Sequence, residues 1–382
     1  MLSLSVRITQ ANTLLAPYAV PHQGTLGREH AEKEDETRFP FQRDRDRIIH
    51  TQAFRRLKGK TQVFVVGAHD HVRTRLTHTM EVAQISRDIA RTLALNEDLA
   101  ECIALAHDLG HPPFGHAGEE ALDAWIQEHH ASFEHNEQSL RIVTLLEEHS
   151  SLFPGLNLNR EVIEGLRKHT TPHDHPTNAG TGTDKLLEAM LVDLADEIAY
   201  TAHDCDDGLR SKLFSRKELL SIPLAREADK RAGKRGTSIR GALIHLLVTD
   251  LYKETSAQLT EWKIASPGDV QKAAHPLVNF SPAMLASLGE LRAFLWQHLY
   301  LHPNVETCNA YGKTIVRALC VAYEQDPPPK ITLLQKKTRG ALPQAICDYV
   351  SGMTDAYALG QAKMLKLTER LGVPPPAWKT EP

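Results

Sequence analysis

ALAHDLGHPPFGHAGEE, residues 104–120, begins as a buried helix and breaks into a histidine-rich turn. Ala104, Leu105, Ala106 and Leu109 are core formers, yet His107 and Asp108 stand among them, and His111 and His116 follow within one loop. Imidazole and carboxylate groups in apolar surroundings need partners, because a buried polar group without one costs free energy. The His-Asp dipeptide alone does not name the partner. It occurs at 69–70, 107–108, 173–174 and 203–204, so the surroundings must choose.

Outward from this stretch the patterning is helical. In LTHTMEVAQISRDIARTLAL (76–95), Val82, Ile85, Ile89 and Leu93 share one face, and His78 lies on that face one turn before Val82. NEDLAECIALAHD (96–108) offers Asn96 as an N-cap, and Pro112 and Pro113 stop the helix that follows it. FEHNEQSLRIVTLLEEH (133–149) and DKLLEAMLVDLADEIAYTAHD (184–204) read as helices, and helices resume near 240–264 and 280–300. HTTPHDHPTNAGTGT (169–183) reads as a loop, READKRAGKRGTSIRG (226–241) as a basic linker or mobile segment, and TQVFVV (61–66) as the best strand signal. The expected fold is all-α, with an irregular N-terminal segment 1–42, a helical core 43–210 and a helical C-terminal region 211–382 packed on it.

The composition narrows the function. A net charge of −4 with 24% charged residues demands neither nucleic acid nor a membrane surface. Twenty-one histidines raise the expectation of metal or acid–base chemistry. The five cysteines are scattered without a CxxC, which reads as reduced thiols in a cytoplasmic protein. Residues 1–20 read as lacking a signal peptide, and no apolar run is long enough for a membrane span.

On the 184–204 helix, Asp196, Tyr200 and Asp204 are spaced i, i+4, i+8 and form a stripe that Asp193 also joins. The opposite face carries Leu187, Met190, Leu194 and Ile198. Carboxylates this close repel unless a cation or ligand lies between them. With His78 on a second helix and His107-Asp108 ending a third, two imidazoles and two carboxylates can hold one divalent cation and leave positions for water or phosphate oxygen.

The blocks FQRDRDRIIHTQAFRRLKGKTQVF, RTRLTHTMEVAQISR, ALAHDLGHPPFGHAGE, FEHNEQS and VDLADEIAYTAHDCDDGL resemble, in order and spacing, the deoxyguanosine triphosphate triphosphohydrolase family of the HD superfamily. DYVSGMTDAYAL (348–359) resembles that family's C-terminal segment, although Ala356 stands where a larger polar or basic residue is expected. The resemblance spans about residues 14–362. It implies an HD-domain helical core with additional C-terminal helices and metal ligands at His78, His107, Asp108 and Asp196. It implies a catalytic pair His116 and Glu119 with His135 as a further active-site histidine, and a phosphate contact at Arg75. Tyr200 would stack under the deoxyribose and Asp204 would meet the 3′-hydroxyl end.

The implied reaction is hydrolysis of a dNTP to deoxynucleoside and inorganic triphosphate with one divalent ion, Mg, Mn, Fe, Ni or Zn. A homo-oligomer is implied as well, with an allosteric nucleotide and single-stranded DNA as candidate further partners and no membrane. Other readings stand beside it: another HD nucleotidase, phosphodiesterase or DNA 3′-end nuclease, and a non-catalytic nucleotide- or single-strand-binding regulator. His111 reads equally as a cap on the helix before it and as a substrate contact. Asp193 reads as a supporting or capping carboxylate, and Arg55, Arg56, Lys58 and Lys60 first as solvated surface, with the block also a candidate for a regulatory nucleotide site between subunits of the implied oligomer.

Overall fold

Side chains that can close a first turn set where the helices begin. Asn96 accepts from the Leu99 N–H at 3.1 Å, as its expected N-cap role requires. In the computed structural model, which describes residues 2–63, 73–167 and 186–371, nineteen α-helices follow one another. They are α1 (Leu4–Asn12), α2 (Pro40–Ile49), α3 (Gln52–Arg56), α4 (Arg75–Thr92), α5 (Glu97–Ala106), α6 (Gly115–Gln127) and α7 (His135–Arg141). Next come α8 (Arg160–Arg167), α9 (Leu187–Arg210), α10 (Arg216–Leu219), α11 (Pro223–Arg235), α12 (Ile239–Glu261), α13 (Pro267–Lys272) and α14 (Pro282–Leu295). The last are α15 (Pro303–Gln325), α16 (Pro329–Thr338), α17 (Leu342–Ser351), α18 (Asp355–Met364) and α19 (Leu367–Leu371).

The fold is all-α: extended pairing among the described residues is limited to isolated bridges, one of them between Thr61 and Thr74. The rest of the expected strand from Phe64, the loop 169–183 and the His-Asp pairs at 69–70 and 173–174 lie outside the described residues. Among the described residues no helix is long and apolar enough to cross a membrane. All five cysteines are buried and free of disulfides.

Contacts divide the chain into two units. The first comprises residues 1–47, 79–105 and 158–301. Its central element is α9, packed on α8, α12 and α14. Both faces of α9 are enclosed: Asp196, Tyr200 and Asp204 are buried, as are Leu187 and Ile198, whereas Met190 and Leu194 are half-buried. A helix enclosed by neighbours buries its polar stripe too. The basic linker is corrected. Residues 223–235 form α11, with Pro223 in its first turn, Gly236 closing it in the left-handed region (φ 67°), and Leu224, Ala225, Ala228 and Ala232 buried. Its charges are the solvent face of an alanine-packed helix, a pattern that composition alone hides. In the segment expected to be irregular, Ser3 caps the nine-residue helix α1.

Glu188, at the start of α9, is buried and accepts the backbone N–H groups of Val20 (3.0 Å) and Asn96 (3.1 Å) on one oxygen. Burial pushes its carboxyl up to about 7 from 4.5. The folded state therefore holds this proton more tightly than the unfolded chain. The stability it contributes is complete below the unfolded value and is lost as pH rises through the folded one. Glu188→Gln keeps the accepting oxygen and cannot ionise. It is expected to flatten the pH profile of stability between roughly pH 5 and 8 and to exceed the parent at pH 8 by on the order of 2–3 kcal/mol. Urea unfolding across that range measures the difference.

The second unit comprises residues 48–78, 106–157 and 302–382. Here α15 packs on α6, α17 and α18 around Trp125, Phe133, Ile315, Leu319 and Ile346. Phe114, the residue before α6, belongs to the same core. A Cβ at Gly312 of α15 would come within 2.7 Å of the Phe114 Cβ, so glycine permits this approach.

Candidate metal centre and catalytic pair

The helix α5 ends at Ala106, and His107–Gly110 form the turn after it. Ser139 of α7 secures that turn: its hydroxyl donates to the His107 carbonyl at 2.7 Å and accepts from the Gly110 N–H at 2.8 Å. Gly110 lies so close to α7 that a Cβ would stand 2.1 Å from the His135 carbonyl oxygen. The chain then passes Pro112 and Pro113, takes left-handed conformations at Phe114 (φ 63°) and Gly115 (φ 58°), and enters α6. A left-handed non-glycine residue is held there by its surroundings.

His78, His107 and Asp108, all buried, offer two imidazole nitrogens and a carboxylate oxygen within 4.8 Å of one another. Asp108 is central to the group. Its Oδ2 lies 3.1 Å from an Arg75 guanidinium nitrogen and 3.9 Å from His78 Nε2, and its Oδ1 lies 2.9 Å from His111 Nδ1 and 3.6 Å from His107 Nε2. Burial pushes the Asp108 carboxyl up, but Arg75, His107 and His111 together outweigh it and hold it well below the usual carboxylate range. This is an ionised donor set of the kind that suits a divalent cation.

Glu119 of α6 bridges two imidazoles. Its Oε1 lies 2.8 Å from His135 Nδ1 and accepts the His135 backbone N–H, and its Oε2 lies 3.2 Å from His116 Nδ1. Burial acts to raise the Glu119 carboxyl, yet His135 and His116 overcome this and keep it far below its ordinary range. His111 lies tilted against His135 with centroids 3.8 Å apart and stands edge-on to His116 at 5.2 Å. The expected role of His111 as a cap on the preceding helix gives way to this buried place between Asp108 and His135, because α5 ends several residues earlier. Burial and Arg75 hold the His111 imidazole well below its ordinary pKa. The His116 side chain, by contrast, is 49% exposed. An exposed imidazole anchored through one nitrogen can present the other to a ligand.

Residues 75–201 match the HD domain family and residues 278–364 the phosphohydrolase-associated domain family. Deoxyguanosinetriphosphate triphosphohydrolase-like protein 1 of Deinococcus radiodurans is 46% identical over 91% of this chain and 94% of its own length. The deoxyguanosinetriphosphate triphosphohydrolase-like proteins of Geobacter sulfurreducens (43% identity, 92% of this chain, 94% of that one) and Azoarcus sp. (44%, 92% and 96%) match as extensively. The chain belongs to the deoxyguanosinetriphosphate triphosphohydrolase-like family of HD-domain proteins. Among solved structures, a hypothetical protein from Aquifex aeolicus is a distant likeness, with a TM-score of 0.47 and 16% identity over 86% of this chain and 70% of that one.

In this dGTPase-like chain the second unit gathers Arg75, His78, His107, Asp108, His111, His116, Glu119 and His135. Asp196, Tyr200 and Asp204 belong to α9 of the first unit. There Asp204 accepts a hydrogen bond from the hydroxyl of Tyr300, a partner the sequence reading missed. His203 Nε2 lies 2.9 Å from Glu81 Oε2, so the fourth His-Asp pair has its histidine engaged with α4. Within the basic block, Arg55 and Lys58 are exposed as expected, but Lys60 is wholly buried, which corrects its surface assignment. Its ammonium meets the carbonyls of His111 and Ser351, contacts that no local pattern announces.

Proposed function

We propose that this chain hydrolyses deoxynucleoside triphosphates to deoxynucleoside and inorganic triphosphate. The observation that carries the reading is the adjacency, through His111, of the His78–His107–Asp108 donor set to the Glu119-bridged pair of His116 and His135. The names of the relatives support the substrate class. Binder-only readings have no use for a carboxylate that orients an exposed imidazole.

His78, His107 and Asp108 would hold a divalent cation, with Asp196 added by the sequence resemblance. When bound, such a cation supplies Lewis-acid polarisation of a phosphoryl oxygen. Arg75 secures Asp108 in its ionised form and, by the resemblance, contributes to phosphate binding. Water attacks the α-phosphorus, the bond between that phosphorus and the 5′-oxygen breaks, and the proton shed by the water passes to solvent. His116 donates a proton to the departing 5′-oxygen, while Glu119 holds Nδ1 of the ring and so leaves Nε2 toward substrate. Triphosphate leaves with the new oxygen. By the resemblance, Tyr200 stacks under the deoxyribose and Asp204 receives the 3′-hydroxyl end.

Product analysis tests this. Each dNTP, singly and mixed, is incubated with Mg²⁺ or Mn²⁺ and resolved by ion-exchange chromatography. Triphosphate and deoxynucleoside are expected in equal amounts. Orthophosphate, pyrophosphate or a mononucleotide as the primary product would assign a different phosphohydrolase reaction.

A further inference from the structure

The C-terminal SGMTD segment, 351–355, has no place in the reaction above, yet it is tied to the catalytic loop by buried polar groups. Lys60 donates to the carbonyl of His111 and, at 2.9 Å, to that of Ser351. One oxygen of Asp355 accepts the backbone N–H of Thr61 at 3.1 Å and the Thr61 hydroxyl, and the other accepts the Phe114 N–H at 2.9 Å. A Cβ on Gly59 would stand 2.9 Å from Thr354 Cγ2, so the 57–61 turn lies directly against the segment.

We infer that Lys60 and Asp355 form a positioning strut that sets the loop 111–115 and thereby aims His116. His107 and Gly110 are held separately by Ser139, so the strut acts beyond the metal-binding pair. Its two attachment points, the His111 carbonyl and the Phe114 N–H, bracket Pro112 and Pro113, which restrict the backbone between them. The bond from Asp355 falls on the residue with φ 63°, two positions before His116. Neither side chain touches the reacting atoms in the proposed chemistry; both act through the backbone. Burial of an ammonium and a carboxylate is costly unless every contact is satisfied, and here one contact from each side chain falls on the loop 111–115.

The inference rests on the proposed role of His116, and its test has a readout independent of turnover. Asp355→Asn keeps the shape but turns one accepting oxygen into a donor, and Lys60→Met removes both donations to the carbonyls. Leu319→Ala, in the core of the same unit, is the control for simple destabilisation. Hydrogen exchange of the 111–118 backbone is expected to accelerate about tenfold or more in the two strut variants, with the Phe114 amide leading. The kcat for triphosphate release should fall on the order of 10- to 100-fold with KM within about twofold, because a small displacement of a catalytic group suffices for such a loss. Bound metal should remain. Leu319→Ala should lower Tm and leave kcat near the parent value.

Unchanged exchange at 111–118 in Asp355→Asn would overturn the strut, as would a kcat loss that Leu319→Ala reproduces at equal loss of Tm. Should Lys60→Met fail to fold, Asp355→Asn decides alone. Should the parent protein release no triphosphate from any dNTP, the reaction assigned above fails and the exchange measurement still judges the strut.

Discussion

His107→Ala is expected to lose divalent metal and phosphohydrolase activity together. The His107 ring supplies one of the three clustered donors and stands edge-on to His78, with centroids 5.9 Å apart. Its backbone carbonyl, which Ser139 grips, survives the substitution, so the turn keeps its path. What disappears is an imidazole nitrogen ligand beside an ionised carboxylate. Lewis-acid polarisation is worth several kcal/mol, so its loss lowers turnover by about 10³-fold or more. Metal content by mass spectrometry, read beside circular dichroism and triphosphate release, checks the prediction. A His107→Ala protein that folds, retains a stoichiometric cation and turns over normally would remove this cluster as the metal centre.

His116→Ala should behave differently, and the contrast separates binding from chemistry. With its side chain 49% exposed, His116 leaves little cavity when truncated, so stability should hold. The three clustered donors are untouched, so metal should stay. Turnover should fall by about 10²-fold or more, the scale of one general acid. An interaction made only in the transition state lowers kcat and kcat/KM together. Glu119→Gln is expected to do less, because the His116 imidazole remains and what is disturbed is the orientation and charge partner of the two rings that Glu119 bridges. Calorimetric dNTP binding, metal analysis and triphosphate release on the three variants give the comparison. Near-parental turnover in His116→Ala, or loss of its metal, would leave no role for this residue as the acid.

The amino-acid sequence by itself determined the helical class, the cap at Asn96 and a break between the His-Asp pair and α6, while the helix that the pair was expected to end stops at Ala106, ahead of the pair and well before the prolines. It determined these because each depends on neighbours within a turn or two: apolar spacing, a side chain that closes a first turn, a proline that cannot continue a helix. The ordered motif blocks likewise pointed to His78, His107, Asp108, His116, Glu119 and His135 without any coordinates. The tertiary structure decided what those residues meet. That Glu119 serves two imidazoles at once depends on α7 returning beside α6, and the position of His111 between Asp108 and His135 depends on the same return. Composition made the 226–241 segment look like a linker, whereas burial of a small alanine stripe makes most of it a helix.

Lys60 shows the limit most clearly. In sequence it is the last cation of a basic block and looks solvated. In the fold it reaches a carbonyl 291 positions away, and the adjoining Thr61 meets Asp355 294 positions away. Periodicity reports which face a residue occupies on its own element. It carries no information about which distant segment closes over that face, and it is this closure, which removes water and leaves only protein partners, that turns a surface charge into a buried strut.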